Sequence, residues 1–288
     1  MSEYKCNLII AGVGKSGTSS LHLYLDAHPE ICMSNIKEPQ FFSMDSQYEK
    51  GLEYHNSLFI CETPSTKVFG ESSTTYFASE VAMHRIKQSL KSPKIIIVLR
   101  DPVERTISHY RWLYALGLES RPFLQAIQES GYDFDPNESV ADRWCFMSYL
   151  EFSLYSKWVP KWKELFGEEN VLLLRSDDLK ANPTGVTSLC CSFLEINSFG
   201  GKLHIEQNRT DDIRVQSQKK LFRALRSVIP HPLKRSIKLA VPNLVNKLNI
   251  LSVRSDKIVP PQISESERVY LSELLNADLE FFSNVAHV

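Results

Sequence analysis

Between the apolar run at 7–11 and an apolar-periodic stretch over Thr18 to Ala27 stands Gly12-Val13-Gly14-Lys15-Ser16-Gly17-Thr18-Ser19. It supplies glycines, one lysine and hydroxyls where a strand hands over to a helix. Backbone N–H groups freed at a helix start, together with the helix dipole, favour an anion, and Lys15 adds a full positive charge. The pattern predicts a phosphate cradle, with a plain Gly-rich turn as the bland alternative. A nucleoside-triphosphate P-loop needs a glycine five positions before Gly14-Lys15-Ser16, and that position is Ile9, inside the strand. A dinucleotide site built on Gly12, Gly14 and Gly17 lacks the acidic residue that should end a second strand, so a nicotinamide cofactor stays open only as an alternative.

A second constellation follows the run Ile95 to Leu99: Arg100-Asp101-Pro102, then Arg105 and Ser108. Where an NTPase requires an acidic magnesium partner at a strand end, this chain places an arginine. Arg100 leaves the carboxyl edge of the sheet, where α/β folds bind ligands, and a guanidinium clamps a phosphate with two parallel hydrogen bonds. Ser108 lies two helical turns beyond Asp101 and returns to the same helix face, within reach of the same phosphate.

The elements that must position these residues alternate. Strands are expected near 7–11, at Val68 to Phe69, at Ile95 to Leu99 (centrally in the sheet) and at Val171 to Leu174. Helices are expected over Thr18 to Ala27, Val81 to Leu90, from Pro102 with Asp101 as cap, over Tyr149 to Leu165, and from Ser264 to Phe282 with a Ser264/Glu267 capping box. The alternation predicts an α/β fold, a central parallel sheet flanked by helices with a P-loop-like anion-binding loop. No Gly/Ser/Pro-rich linker divides the chain, so residues 1–288 are expected to form one domain.

Taken together, GVGKSGTSSL and LRDPVERTISHY resemble the 5'-phosphosulfate loop and the 3'-phosphate motif of sulfotransferases that use 3'-phosphoadenosine-5'-phosphosulfate (PAPS), in the carbohydrate branch that includes the heparan sulfate sulfotransferases. The similarity runs from about Leu8 to Leu194 and includes RSDDL near Asp178. The resemblance implies that Lys15, Ser16, Gly17, Thr18 and Ser19 hold the 5'-phosphosulfate and that Arg100 and Ser108 hold the 3'-phosphate. It implies that Glu38, in Lys37-Glu38-Pro39-Gln40-Phe41-Phe42, is the catalytic base, with His55 and His109 as rivals, and that Lys15 also stabilises the leaving group. At Ser72, relatives of the heparan type carry a lysine, which puts a second catalytic cation there in doubt. The implied reaction moves a sulfuryl group from PAPS to a hydroxyl of a saccharide or other hydroxylated acceptor, without a metal. O- or N-sulfation of a small metabolite, or a non-catalytic nucleotide-binding protein, are the alternatives.

Composition sets the remaining bounds. A net charge of -1 over 288 residues opposes binding of nucleic acid or an anionic membrane by the whole surface, so any anion site must be local. Segment 209–262 is the exception, with twelve Lys/Arg against three Asp between Arg209 and Lys257; it is read as a lid, an acceptor-facing segment or simply solvated helices. The start MSEYKCNLII carries no export signal and no apolar run is long enough to span a bilayer, so a soluble cytoplasmic protein is expected. The six cysteines, at 6, 32, 61, 145, 190 and 191, have no metal-ligand spacing and are expected to be reduced thiols, mostly buried, with a single adventitious disulfide as the alternative.

Overall fold

The structure, a computed structural model, describes residues 3–130, 148–198 and 260–288. The first half of the chain runs β1 (Leu8–Gly12), α1 (Thr18–Asp26), β2 (Ile31–Met33), the short helices α2 (Asp45–Tyr48) and α3 (Gly51–Asn56), β3 (Val68–Ser72), α4 (Glu80–Ser89) and β4 (Lys94–Leu99). It continues with α5 (Pro102–Ala115), α6 (Phe123–Gln128), α7 (Tyr155–Phe166), β5 (Val171–Arg175), α8 (Ser176–Ala181), α9 (Pro183–Phe193), α10 (Glu265–Leu274) and α11 (Asn276–Ser283).

The five strands form one sheet in the order β2-β3-β1-β4-β5, parallel throughout. Strands this apolar are covered on both faces, and their alternation assigns each side chain. Ile9, Ala11, Ile95, Ile97 and Leu99 point into a cluster with Phe41, Phe42, Phe77, Tyr155 and Trp162. Leu8, Ile10, Ile96 and Val98 point the other way, onto Leu21 and Leu25 of α1 and Val186 and Cys190 of α9. Each fully buried Leu, Ile, Val or Phe side chain among these stabilises the fold by about 1.5–3 kcal/mol.

The strand order has a consequence for function. The chain builds β2 and β3 on one side of β1, then crosses to build β4 and β5 on the other. That reversal opens a crevice beyond the carboxyl ends of β1 and β4, the usual ligand position in an open α/β sheet. Both sequence motifs start there.

Several expectations are corrected. The middle strand is β1, with β4 interior but one place over. Strand β2 escaped notice because three residues at a sheet edge show no periodicity. The helix expected over Tyr149 to Leu165 is a 3-10 turn at Glu151–Ser153 followed by α7, separated at Leu154, whose ψ of 69° is not helical. The C-terminal helix breaks at Leu275 into α10 and α11, while the Ser264/Glu267 capping box is present as expected.

The expectation of reduced thiols is also corrected: Cys32 and Cys61 are disulfide-bonded, with Cα atoms 5.5 Å apart. They are 29 positions apart in sequence, and the pairing of Asn35 N–H with Leu58 O holds the chain after β2 against the chain after α3. Cys6 and Cys190 are free and buried, and Cys191 is buried; Cys145, the polar stretch at 132–142 and the basic segment up to residue 259 lie outside the described residues. No helix among the described residues is long and apolar enough to cross a membrane.

Candidate functional site

The loop after β1 is shaped by close approach. A Cβ on Gly12 would stand 2.8 Å from Cβ of Phe77, and Gly17, at φ 96°, takes the left-handed conformation from which α1 starts. Gly17 is exposed, Thr18 and Ser16 are buried, and Ser19 is half-buried. Ser16 Oγ has no hydrogen-bond partner among the described residues, although it is only 1% exposed. A buried hydroxyl left unpaired beside a helix start is a place for a ligand oxygen.

The strand-end arginine reaches this loop. Arg100 Nη1 donates to Lys15 O at 3.3 Å, while its own carbonyl accepts from Tyr155 Oη at 2.8 Å. Asp101 caps α5 by accepting from Glu104 N, at 2.9 Å, which fixes the helix relative to the strand end. Ser108 is half-buried on α5, and Trp112, one turn further along the same face, lies 5.1 Å from Lys15 Nζ at its ring centre. The structure therefore brings Lys15, Arg100 and the Ser108 face of α5 to one side of the crevice.

Charge accumulates there. Burial, then the guanidinium groups of Arg100 and Arg105, push Lys15 down to about 8. Arg105 is fully buried, and its hydrogen bonds go to Ser153 Oγ at 2.6 Å, the Tyr149 carbonyl, Thr106 Oγ1, and His109 Nδ1 at 3.4 Å. Burial lowers it to about 10. Lys15 and Arg100 face the crevice with Arg105 buried behind them; Glu104 Oε2, 3.8 Å from Arg100 Nη2, balances part of this charge, and an anion relieves the repulsion that remains.

Glu38 arrives from the other side. Its φ of 59° and that of Gln40, 54°, are left-handed values that cost a non-glycine residue about 1–2 kcal/mol. The turn is held by Glu38 N donating to Ser72 O at 2.9 Å and Gln40 N to Ser73 Oγ at 3.0 Å. Glu38 Oε2 accepts from Thr74 N and Thr74 Oγ1, at 2.7 and 3.2 Å, and Oε1 accepts from Lys37 Nζ at 2.5 Å. Thr74 adjoins the anion loop: its Oγ1 is 3.7 Å from where a Cβ on Gly14 would stand.

Ser72 Oγ pairs with His22 Nδ1 at 2.9 Å, and burial, followed by the charge of Lys37, lowers that imidazole to about 4. The rival histidines differ in place: His55 lies in the aromatic cluster, whereas His109 follows Ser108 on α5 with its ring 6.1 Å from that of Trp112. His55 is fully buried among Tyr4, Phe41, Phe42 and Phe59 with Nε2 3.4 Å from Glu71, and His109 packs on Tyr149 and Phe152 beside Arg105. Residue types alone did not single out Thr74, Trp112 or His22. For Trp112 there was a usable signal, the four-residue step from Ser108 along α5; for Thr74 there was none, because its contact with Glu38 spans 36 residues.

Comparison with known proteins agrees with the motifs. A family described as the sulfotransferase domain matches residues 5–233. Bovine bifunctional heparan sulfate N-deacetylase/N-sulfotransferase 2 is 30% identical over 200 residues, covering 66% of this chain and 22% of that protein. Human heparan sulfate glucosamine 3-O-sulfotransferase 3B1 is 29% identical over 202 residues, covering 70% of this chain and 49% of that protein. The chain thus matches half or less of the length of these relatives. Among solved structures, a sulfotransferase from Alicyclobacillus acidocaldarius superposes with a TM-score of 0.59 at 22% identity, over 87% of this chain and 97% of that one. A mouse sulfotransferase complexed with PAP superposes at 0.51 and 14% identity, over 100% of this chain and 91% of that one, which speaks for the fold. With the family matching most of the chain and both anion motifs meeting at the switch point of its sheet, the chain belongs to the sulfotransferase family.

Proposed function

We propose that this chain transfers a sulfuryl group from PAPS to a hydroxyl or amine of a saccharide or other hydroxylated acceptor. The observation that carries the proposal is the convergence of Lys15, Arg100 and the Ser108 face of α5 at one end of the crevice with Glu38 anchored on Thr74 beside Gly14. The residues present fit the donor: two cations stand where two phosphate-type groups are required, and the buried Ser16 hydroxyl lacks a partner. The saccharide class is favoured by the heparan sulfate enzymes among the relatives.

In this reading the Lys15 loop holds the 5'-phosphosulfate end, with Ser16, Gly17, Thr18 and Ser19 contributing hydroxyls and backbone N–H groups. Arg100 and Ser108 hold the 3'-phosphate. PAPS supplies an activated sulfuryl group on a phosphate leaving group. Glu38 takes the acceptor's proton at Oε1, since Oε2 is committed to Thr74. The acceptor oxygen or nitrogen gains the sulfuryl group, and adenosine 3',5'-bisphosphate (PAP) leaves with the bonding electron pair. Lys15 and the loop N–H groups stabilise the charge that develops on the leaving phosphate.

The rest of the reading is proposed with it: the 288 residues act as one catalytic domain, no metal ion takes part, and activity is unchanged in excess chelator. A complete loss that added magnesium restores would overturn that last point. A cytoplasmic setting would keep Cys32 and Cys61 as thiols. Trapping free thiols directly in cells tests it, labelling of both supporting the cytoplasm and a blocked pair opposing it.

The decisive experiment incubates the purified protein with PAPS and pools of saccharide, amine and small hydroxylated acceptors, and reads the products by mass spectrometry. A product heavier by one sulfuryl group, formed only with PAPS, is expected. Calorimetry should show PAP binding more tightly than ADP, and equal affinity for the two would remove the case for a separate 3'-phosphate site.

A further inference from the structure

Lys37 and Glu38 are consecutive, yet their side chains meet, because the left-handed backbone at Glu38 folds one back onto the other. That conformation is costly for a glutamate and is held by two hydrogen bonds at the β3 end, Glu38 N to Ser72 O and Gln40 N to Ser73 Oγ. Its result is specific. Glu38 Oε2 is consumed by Thr74, and Oε1, the oxygen left for proton transfer, carries the Lys37 ammonium.

An ammonium has three N–H donors, and the structure gives Lys37 one hydrogen-bond acceptor among the described residues, Glu38 Oε1. Both side chains are about a quarter exposed, 26% for Lys37 and 29% for Glu38, and Glu38 is tied to Thr74, which adjoins Gly14 of the loop after β1. A carboxylate beside an anionic sulfuryl group repels it unless a cation stands between them. His22, the nearest alternative, is spent on Ser72 and is held in its neutral form.

We propose that Lys37 is a donor-contact residue: one N–H stays on Glu38 Oε1 while the others bind the terminal sulfonate oxygens of PAPS, so that the base and the group being transferred can lie side by side. This rests on the sulfotransferase reading and adds to it a second cation, opposite Lys15, that recognises the sulfonate alone. PAPS and PAP differ by that group. Lys37 should therefore discriminate between them without any acceptor present.

The test is calorimetry of PAP and of PAPS with the intact protein and with Lys37→Met, Lys37→Arg and Lys37→Met/Glu38→Gln. For Lys37→Met, PAP affinity should stay within about twofold, which also reports a folded loop, while PAPS affinity should fall about tenfold or more, as for loss of a charged hydrogen bond. Lys37→Arg should restore most of the loss, and the double variant part of it, because the repelling carboxylate is gone. Unchanged PAPS affinity in Lys37→Met, or equal losses for PAP and PAPS, would overturn the assignment while leaving the sulfotransferase reading intact. Failure of the unaltered protein to bind either nucleotide would overturn both.

Discussion

In the proposed reaction Glu38 acts on the acceptor and Lys15 on the leaving group, and the two roles are separable by measurement. Replacing Glu38 by Gln keeps size and the Thr74 contact but removes the proton acceptor, so turnover should fall by about 10²- to 10⁴-fold while PAP affinity is nearly unchanged. Near-normal turnover would reject Glu38 as the base, and a parallel loss of affinity would make it a support for the loop. Arg100→Ala removes the clamp at the β4 end and should weaken PAP binding by about 2–5 kcal/mol in calorimetry. Lys15 carries a pH signature. Burial and the neighbouring Arg100 lower it to about 8, and a bound phosphate favours its charged form. PAP affinity should be full below about pH 8 and fall as pH rises through that value, until ordinary lysines also lose their charge. Titration calorimetry from about pH 7 to about pH 9.5 should show the fall, and Lys15→Arg, charged throughout, should abolish it. A flat profile in the unaltered protein would mean that the charge on Lys15 does not contribute to binding.

At the scale of elements, two junctions set the crevice. Asp101 caps α5 through Glu104 N and so fixes the helix that carries Ser108 and Trp112 to the end of the strand that carries Arg100. Asp101→Ala should cost about 1 kcal/mol in a denaturation midpoint series, with a smaller loss for Asp101→Asn, which can still cap. Gly12 closes β1 against Phe77, at the end of the Thr74–Tyr76 turn. Because a Cβ there meets Phe77 Cβ at 2.8 Å, and both atoms belong to rigid parts of the chain, Gly12→Ala should destabilise the protein by about 1–3 kcal/mol. The same substitution at Gly14, whose neighbour is 3.7 Å away, leaves ordinary contact distance. Comparing the two variants by thermal unfolding checks whether packing or loop flexibility is at issue.

Across the whole molecule, the Cys32–Cys61 bond joins the edge strand β2 to the segment leading into β3, and thereby braces the stretch that carries Lys37 and Glu38. Closing a loop of this length restricts the unfolded chain and is worth about 2–4 kcal/mol. Oxidised protein should therefore unfold at higher denaturant than the same protein with reductant, and Cys61→Ser should show no such difference. The parallel sheet itself, buried on both faces by α1 and α9 on one side and the Phe41, Phe42, Phe77 and Trp162 cluster on the other, should change little.

Much of this architecture was legible in the chain. Short-range rules acted on β1, α1, β4 and α5: a run of branched residues, a glycine turn, Asp101 before Pro102. Each is a local preference that tertiary structure had no reason to override, and the alternation of these elements implied parallel strands. The strand order, by contrast, came from which faces pack together, so β1 rather than β4 proved to be the middle strand and β2 became visible only as an edge. The candidate site divides the same way. Lys15, Arg100 and Ser108 were marked by type and by position at strand or helix ends. The contacts of Glu38 with Thr74, of His22 with Ser72 and of Lys15 with Trp112 join residues tens of positions apart, whose approach depends on the folded sheet edge and leaves no periodic trace. The Lys37–Glu38 contact is local in sequence, but the left-handed backbone that makes it is imposed by hydrogen bonds from distant β3, and so it too was decided by the tertiary structure.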